Sequence, residues 1–221
     1  MLAEIAQFLR HAPATLALKV RSSQDELYST IADRMDDAGM ADRRRELVAD
    51  LRGDIVEIGC GTGHQFRHYA PGVRVRAVEP DPAFAARARA GAPAGFEVVE
   101  ARGEQLPFAD ASADAAVVAL VLCSVDAPDA VCAEIARVVR PGGAVRLIEH
   151  VVSPKRVAGA LMHAVDPIWL RLNGQGCHMD RDPFPALERA RFAIERVEPF
   201  QVWAPGVPAF PWRAIYARRQ A

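Results

Sequence analysis

Apolar positions fall into two periods along this chain. From Gln24 to Leu51 they recur at helical spacing (Leu27, Ile31, Met35, then Met40, Leu47, Val48 and Leu51), with a break at Gly39. From Ile55 onward, short β-branched runs alternate with helical stretches. Ile55 to Ile58, Val73 to Val78, Phe96 to Val99, Ala115 to Leu122 and Ala144 to Val151 read as five strands. The run Ala115 to Leu122 is continuously apolar, as expected of a central parallel strand covered on both faces. Helices are predicted over His64 to Tyr69, Pro82 to Ala90 and Pro128 to Val139. Beyond the fifth strand the rhythm changes. Arg156 to Leu172 reads as a helix, Asn173 to Asp182 as irregular, and Phe184 to Arg191 as a helix. Ala193 to Phe200 and Phe210 to Arg218 read as two last strands around the turn Pro205-Gly206-Val207-Pro208. These elements sum to a doubly wound α/β sheet of five parallel strands with a two-strand addition, preceded by N-terminal helices and carrying a helical insertion after strand five.

The first strand ends in Glu57-Ile58-Gly59-Cys60-Gly61-Thr62-Gly63. Glycines at the tip of a parallel strand let the backbone turn sharply and approach a ligand with no Cβ in the way. A dinucleotide loop of the form G-x-G-x-x-G would place its third glycine at position 64, which is His64. The glycines instead alternate strictly, and the carboxylate of Glu57 just before them suits a cationic ligand group better than a pyrophosphate. S-adenosylmethionine, with its sulfonium and amino group, meets that requirement. Downstream, Glu79 of Glu79-Pro80-Asp81 stands at the tip of the second strand, about 20 residues past the glycines, where an acid can accept hydrogen bonds from both ribose hydroxyls. Its alternative role is to cap the helix that begins near Asp81.

The spacing Glu-x-Gly-x-Gly-x-Gly resembles motif I of the class I S-adenosylmethionine-dependent methyltransferases, whose Rossmann-like seven-stranded sheet has an antiparallel last strand. That resemblance implies further cofactor contacts at Gly59, Cys60, Gly61, Gly63 and Pro80. The run Gly103-Glu104-Gln105-Leu106-Pro107-Phe108 is similar to the segment that borders the adenine, with Glu104 facing the exocyclic amine. At the end of strand four, where strand order reverses, Leu120 and Val121 border the ligand crevice, and the Leu120 carbonyl is placed to meet the cofactor's amino group. Arg140-Pro141-Gly142-Gly143 looks like the family's motif III, a tight turn that aims strand five. Asp114 reads as structural.

A narrower resemblance rests on Leu120-Val121-Leu122-Cys123-Ser124-Val125, Glu149-His150-Val151, Asp166-Pro167-Ile168-Trp169, Gly176-Cys177 and Ala186-Leu187-Glu188-Arg189-Ala190. Together with motif I these resemble the methyltransferase-like protein 7 family over roughly residues 50 to 218. The resemblance implies methylation of small thiols on sulfur. Animal members carry a hydrophobic N-terminal anchor. Here Leu2, Ile5, Phe8 and Leu9 form a short amphipathic pattern interrupted by Glu4, Arg10, His11 and Lys19, which reads as a helix packing on the domain, with peripheral membrane contact as the alternative.

Composition narrows the remaining classes. The chain has 221 residues, half of them hydrophobic and a quarter charged, as in a soluble globular protein of one domain. A formal net charge of −1 offers no basic excess for nucleic acid. No apolar run reaches transmembrane length. Four cysteines (Cys60, Cys123, Cys132 and Cys177) match no zinc spacing and follow no signal peptide, which points to a cytoplasmic, reducing location and to no metal. His163 and Asp166 share a helical face and His178 follows, but no third ligand is spaced for an ion. The sequence specifies no oligomeric state.

Methyl transfer from a sulfonium needs the nucleophile held in line and dry, so positioning dominates. A thiol is already partly ionised near neutral pH, and an imidazole suffices to help it. His150, ending strand five beside the crevice, is the candidate to deprotonate or orient the acceptor; a hydrogen-bonded anchor for the insertion is its alternative role. Glu149 points the other way and reads as structural. The insertion Pro154 to Asp182 supplies the acceptor-side lid, with Trp169, Leu170 and Leu172 as candidate walls. Cys123 and Cys177 are placed to approach each other at the crevice, a feature that would also suit an arsenite-type acceptor. Oxygen or nitrogen of a lipid-like, quinone-like or natural-product acceptor, and a cofactor-binding module without turnover, are the competing functions.

Overall fold

In the computed structural model the described residues are 23–173, 176–205, 207 and 210–221. The amphipathic pattern of the first twenty residues lies outside them. Seven strands form one sheet in the order β3-β2-β1-β4-β5-β7-β6. β1 (Asp54–Ile58), β2 (Arg74–Val78), β3 (Phe96–Val99), β4 (Ala113–Ala119) and β5 (Val139–His150) run parallel, and β7 (Trp212–Arg219) is antiparallel to both β5 and β6 (Phe192–Phe200). This is the doubly wound arrangement expected from the sequence. Strand order reverses between β1 and β4, which opens a crevice at their carboxyl ends.

Side chains alternate across β1 and divide the core in two. Ile55 joins Val75, Val117 and Ile148 on one face, while Val56 and Ile58 join Val118 and Leu147 on the other. Glu57 therefore projects to the Ile55 face, where α1 (Gln24–Met35) and α2 (Ala41–Val48) pack. α1 starts at Ser23, whose backbone N–H donates to Glu26 at 3.1 Å. The two helices join through a π-helical turn at Asp36–Met40, where Gly39 takes φ +105. A buried ion pair, Arg44 Nε to Asp36 Oδ1 at 3.0 Å, ties the turn to α2. Arg67 makes a second pair to Asp36, so the same carboxylate also holds the segment after the glycine loop. The other face carries α4 (Pro128–Val138) and α6 (Phe184–Arg189), whereas α3 (Pro82–Gly91) packs through Ala85 and Ala88 on the Ile55 face, against β2 and β3.

Several boundaries depart from the sequence reading. The helix expected over His64 to Tyr69 is a series of turns with one 3-10 turn at Phe66–His68, so the segment after the glycine loop presents no α-helix N-terminus to it. Three positive-φ glycines tie the chain into its own loop hydrogen bonds there, and Pro71 and Gly72 stop any extension. β4 ends at Ala119 rather than Leu122, because Leu120 adopts φ +64 and leaves the strand direction. β5 reaches back to Val139, which pairs with Ala113 before the turn at Gly142 (φ +76) shifts the register. α6 stops at Arg189, followed by Arg191 at φ +57. The insertion helix α5 (Arg156–Asn173) is as expected in length. Along it, Val157, Leu161, Ile168 and Leu172 are exposed. Among the described residues no helix is long and apolar enough to cross a membrane.

Candidate active site

The glycine loop closes through its own backbone and its neighbours. Gly59, Gly61 and Gly63 have φ of +62, +56 and +87, a region that side-chain-bearing residues enter only with strain. The Cys60 N–H donates to the Val78 carbonyl at 3.0 Å and the Gly63 N–H to the Cys60 carbonyl at 2.9 Å. A Cβ on Gly59 would lie 2.7 Å from a Val121 methyl, which shows how tightly the loop after β4 packs on the loop after β1. Cys60 is buried, and burial pushes its thiol far above the ordinary range, so it is an inert part of the loop.

Glu79 is buried and bridges two backbones. Its Oε2 accepts from the Gly61 N–H at 2.8 Å and its Oε1 from the Asp81 N–H at 3.0 Å. Capping of α3 falls to Asp81, whose Oδ1 accepts from the N–H groups of Ala83 and Phe84. Each Glu79 oxygen keeps a lone pair, so the carboxylate could take two vicinal hydroxyls. Pro80 beside it is exposed and stiffens the turn into α3. Glu57 is fully enclosed and accepts from the Tyr69 hydroxyl at 2.8 Å. Burial pushes its carboxyl up to about 8, despite that hydrogen bond.

Gly103 is buried against Ile58 and Val131, where a Cβ would come within 2.9 Å of an Ile58 methyl. Next to it, Glu104 Oε2 meets Arg102 Nε at 3.4 Å, while Glu104 Oε1 is buried without a protein partner. A buried acceptor without a donor is costly, so Glu104 Oε1 could accept from a bound ligand. Gln105 is exposed, with its backbone N–H on the Arg102 carbonyl. The strained Leu120 donates its N–H to Ile148 at 2.8 Å. Glu149 Oε1 accepts from both Val121 and Leu122 N–H groups at 2.9 Å, holding the loop after β4 beneath the crevice.

At the far side of Val121 lies a second group. Cys123 follows β4, His150 ends β5 and Cys177 belongs to the loop after α5. His150 Nε2 lies 3.0 Å from the Cys177 sulfur, and a thiol–thiol hydrogen bond spans the 3.8 Å between the Cys177 and Cys123 sulfurs. That hydrogen bond holds the Cys177 thiol below its ordinary range, although burial works against it, and raises Cys123 correspondingly. Burial opposes a charged His150 ring, yet the sulfur of Cys123 and the carboxylate of Glu149 lift it above the usual histidine value. Phe210 stacks on the imidazole with ring centroids 4.3 Å apart, and Trp169 stands edge-on to Phe210. On the insertion, His163 and Asp166 bond not to each other but to the following loop, Asp166 to His178 at 2.7 Å and His163 to Asp180 at 2.7 Å. These bonds pin the Cys177 loop to α5.

Sequence reasoning missed three contributors. Tyr28 on α1 lies over the glycine loop, so that a Cβ on Gly61 would come 3.0 Å from its ring. Tyr28 also packs on Phe84 of α3 at 5.0 Å. Asp33 receives His64 Nε2 at 3.0 Å, while His64 Nδ1 meets the Thr62 hydroxyl at 3.0 Å. Phe210, which orients His150, is the third. Tyr28 and Asp33 sit on a helix remote from every motif, and only the aromatic at the head of the last strand carried any signal.

Residues 56–147 match the family described as "Methyltransferase domain". The rat thiol S-methyltransferase TMT1B is 35% identical over 80% of this chain and 75% of its own length. Human TMT1A is 36% identical over 73% of this chain and 72% of its own length. A phosphatidylethanolamine N-methyltransferase of Cereibacter sphaeroides is 30% identical over 70% of this chain and 73% of its own. Among solved structures, a geranyl diphosphate methyltransferase bound to S-adenosylmethionine superposes with a TM-score of 0.66 at 16% identity, covering 82% of this chain and 85% of that one. A methyltransferase from Mesorhizobium loti gives 0.65 at 22%, covering 84% and 100%.

Fold, glycine loop and relatives define a class I methyltransferase that uses S-adenosylmethionine as its cofactor. The chain belongs to the thiol S-methyltransferase TMT1 family.

Proposed function

We propose that this protein methylates the sulfur of a small thiol, working as one catalytic unit in which the helices within 23–51 cap the sheet and the insertion after β5 covers the acceptor. The observation that carries the acceptor assignment is the Cys123, His150 and Cys177 group, a spot arranged to stabilise a sulfur anion beside the ligand crevice. The thiol S-methyltransferase relatives support the same acceptor.

Bound S-adenosylmethionine supplies a methyl group already activated on a sulfonium. Gly59, Cys60, Gly61 and Gly63 shape the backbone around it, with Leu120 and Val121 closing the crevice from the β4 side. Glu79 takes the ribose hydroxyls, and Glu57, held neutral by burial, ionises as the cofactor's ammonium approaches and then compensates its positive charge. Glu104 Oε1 accepts from the adenine amine, while Gly103, Gln105 and Pro80 form the surrounding turns. Tyr28 covers the loop and keeps water out, which strengthens each of these electrostatic contacts. His150 promotes ionisation of the acceptor thiol, and the stacked Phe210 prevents its ring from turning away. Trp169 and the loop at Cys177 complete a dry wall, so the sulfur needs little more than alignment to react.

A lipid amine is the second reading, favoured by the phosphatidylethanolamine N-methyltransferase relative. Incubating the full chain with methyl-labelled S-adenosylmethionine and parallel sets of thiols, phenols, amines and phosphatidylethanolamine vesicles decides between them. Labelled thioethers are expected at rates at least tenfold above any other product. Transfer confined to phenols or amines would overturn the thiol assignment, and binding without transfer to any class would reduce the protein to a cofactor-binding module.

A further inference from the structure

Cys123, His150 and Cys177 lie in three separate segments with no spacing typical of a metal motif, yet their donor atoms all lie within 4.8 Å of one another. Two thiols and one imidazole are the donors that select zinc, a d10 ion with no redox chemistry of its own. Tetrahedral zinc with Zn–S bonds of about 2.3 Å sets two sulfurs about 3.8 Å apart. The Cys123 and Cys177 sulfurs are 3.8 Å apart. The same tetrahedron needs about 3.5 Å between sulfur and nitrogen. Cys177 would therefore shift by about half an ångström from its present 3.0 Å contact with His150. It lies in an irregular loop rather than in the sheet, so that shift disturbs no strand.

We propose that Cys123, His150 and Cys177 form a zinc site whose fourth position receives the acceptor sulfur. Among the described residues no other His, Cys, Asp or Glu completes this group, which leaves three protein ligands and one open position, the pattern of catalytic rather than structural zinc. Cys123 and His150 are buried whereas Cys177 is partly exposed, so the opening lies on the Cys177 side. The stack on Phe210 fixes the ring that would ligate through Nε2. Two thiolates balance the charge of the ion, giving a neutral centre that can be buried without a counterion.

This assignment of the fourth position rests on the thiol reading of the acceptor; the metal site itself does not. As the acceptor sulfur binds, its S–H bond breaks and the proton passes to solvent water. The sulfur lone pair then forms the new S–C bond while the donor's C–S bond breaks, leaving that electron pair on the donor sulfur. The neutral thioether is a poor zinc ligand and departs.

The test uses the full chain purified under reducing conditions, with metal content by plasma spectrometry and zinc affinity by competition with a chromophoric chelator. One zinc per chain is expected. The Cys123→Ser/Cys177→Ser double variant should lose at least 100-fold in zinc affinity while still binding S-adenosylhomocysteine in calorimetry, which reports an intact fold. Should that variant fail to fold, cobalt substitution of the wild type replaces it: sulfur-to-cobalt charge-transfer absorption with tetrahedral visible bands supports the site. Substoichiometric zinc, a variant that keeps its affinity, or cobalt bound without sulfur bands overturns it. So does a Cys123 to Cys177 disulfide found in place of the metal. Zinc bound stoichiometrically in a protein that methylates no thiol would refute the acceptor reading alone. Thiol turnover unchanged by a chelator that strips the metal would overturn the fourth-position role.

Discussion

Glu57 shows how much a single buried carboxyl can do. Enclosed on the face shared with Ile55, it keeps one hydrogen bond, from Tyr69, and its pKa rises to about 8 because water cannot solvate the charge. The unfolded chain releases this proton near the ordinary value of about 4.3. Between those two values the folded state holds a proton that the unfolded state has lost, so stability falls as pH rises through that window. His64 and His68, both depressed by burial, act in the opposite sense, so the informative quantity is a difference. In denaturant titrations of the cofactor-free protein, Glu57→Gln should gain on the wild type as pH rises from 5 to 8. The gain is roughly 1.4 kcal/mol for each unit by which the pKa has moved. Parallel profiles for the two proteins would mean that Glu57 is not held neutral. The acid was legible as a charge beside the glycines; its burial, and so its protonation, was not, because Tyr69 arrives from a segment that reads as a helix and folds as turns.

At the scale of elements, the helices ahead of the sheet hold the loop in place. Asp36 accepts from Arg44 of α2 and Arg67 after the glycine loop, while Gln65 Nε2 donates to the Arg44 carbonyl at 3.1 Å. Both side chains of the Asp36 and Arg44 pair are almost wholly inaccessible. Removing one partner of a buried pair leaves an uncompensated charge. Arg44→Ala should therefore cost about 3 kcal/mol in chemical denaturation, somewhat offset by Arg67. A loss below about 1 kcal/mol would show that Arg67 and water suffice. Element types were readable almost throughout, since periods of 3.6 and 2 are local properties of the chain. The boundaries were not: β4 ends where Leu120 takes a left-handed conformation that the sequence of an apolar run does not announce.

At the scale of the whole molecule, the acceptor end exists only when β4, β5 and the loop after α5 are folded together. Its chemistry belongs to that assembly, and His150 tests it. His150→Ala should lower turnover with thiols about tenfold at pH 6 and only about twofold at pH 9, where the acceptor ionises unaided. An equal loss at both values would show that His150 does not promote ionisation of the acceptor.

The sequence by itself determined the sheet, the glycine loop, the acid at the tip of β2 and the cofactor class, because each is carried by residues close in the chain and by backbone rules that need no partner. The pairing of Glu57 with Tyr69 and the cover of Tyr28 over Gly61 were decided by tertiary structure alone, as was the contact that adds the His150 ring to the Cys123 and Cys177 pair expected at the crevice. Cys123 and His150 share a site because parallel β4 and β5 bring their carboxyl ends to one edge, and the loop after α5 carries Cys177 back to it. No local pattern encodes that convergence; it follows from strand order.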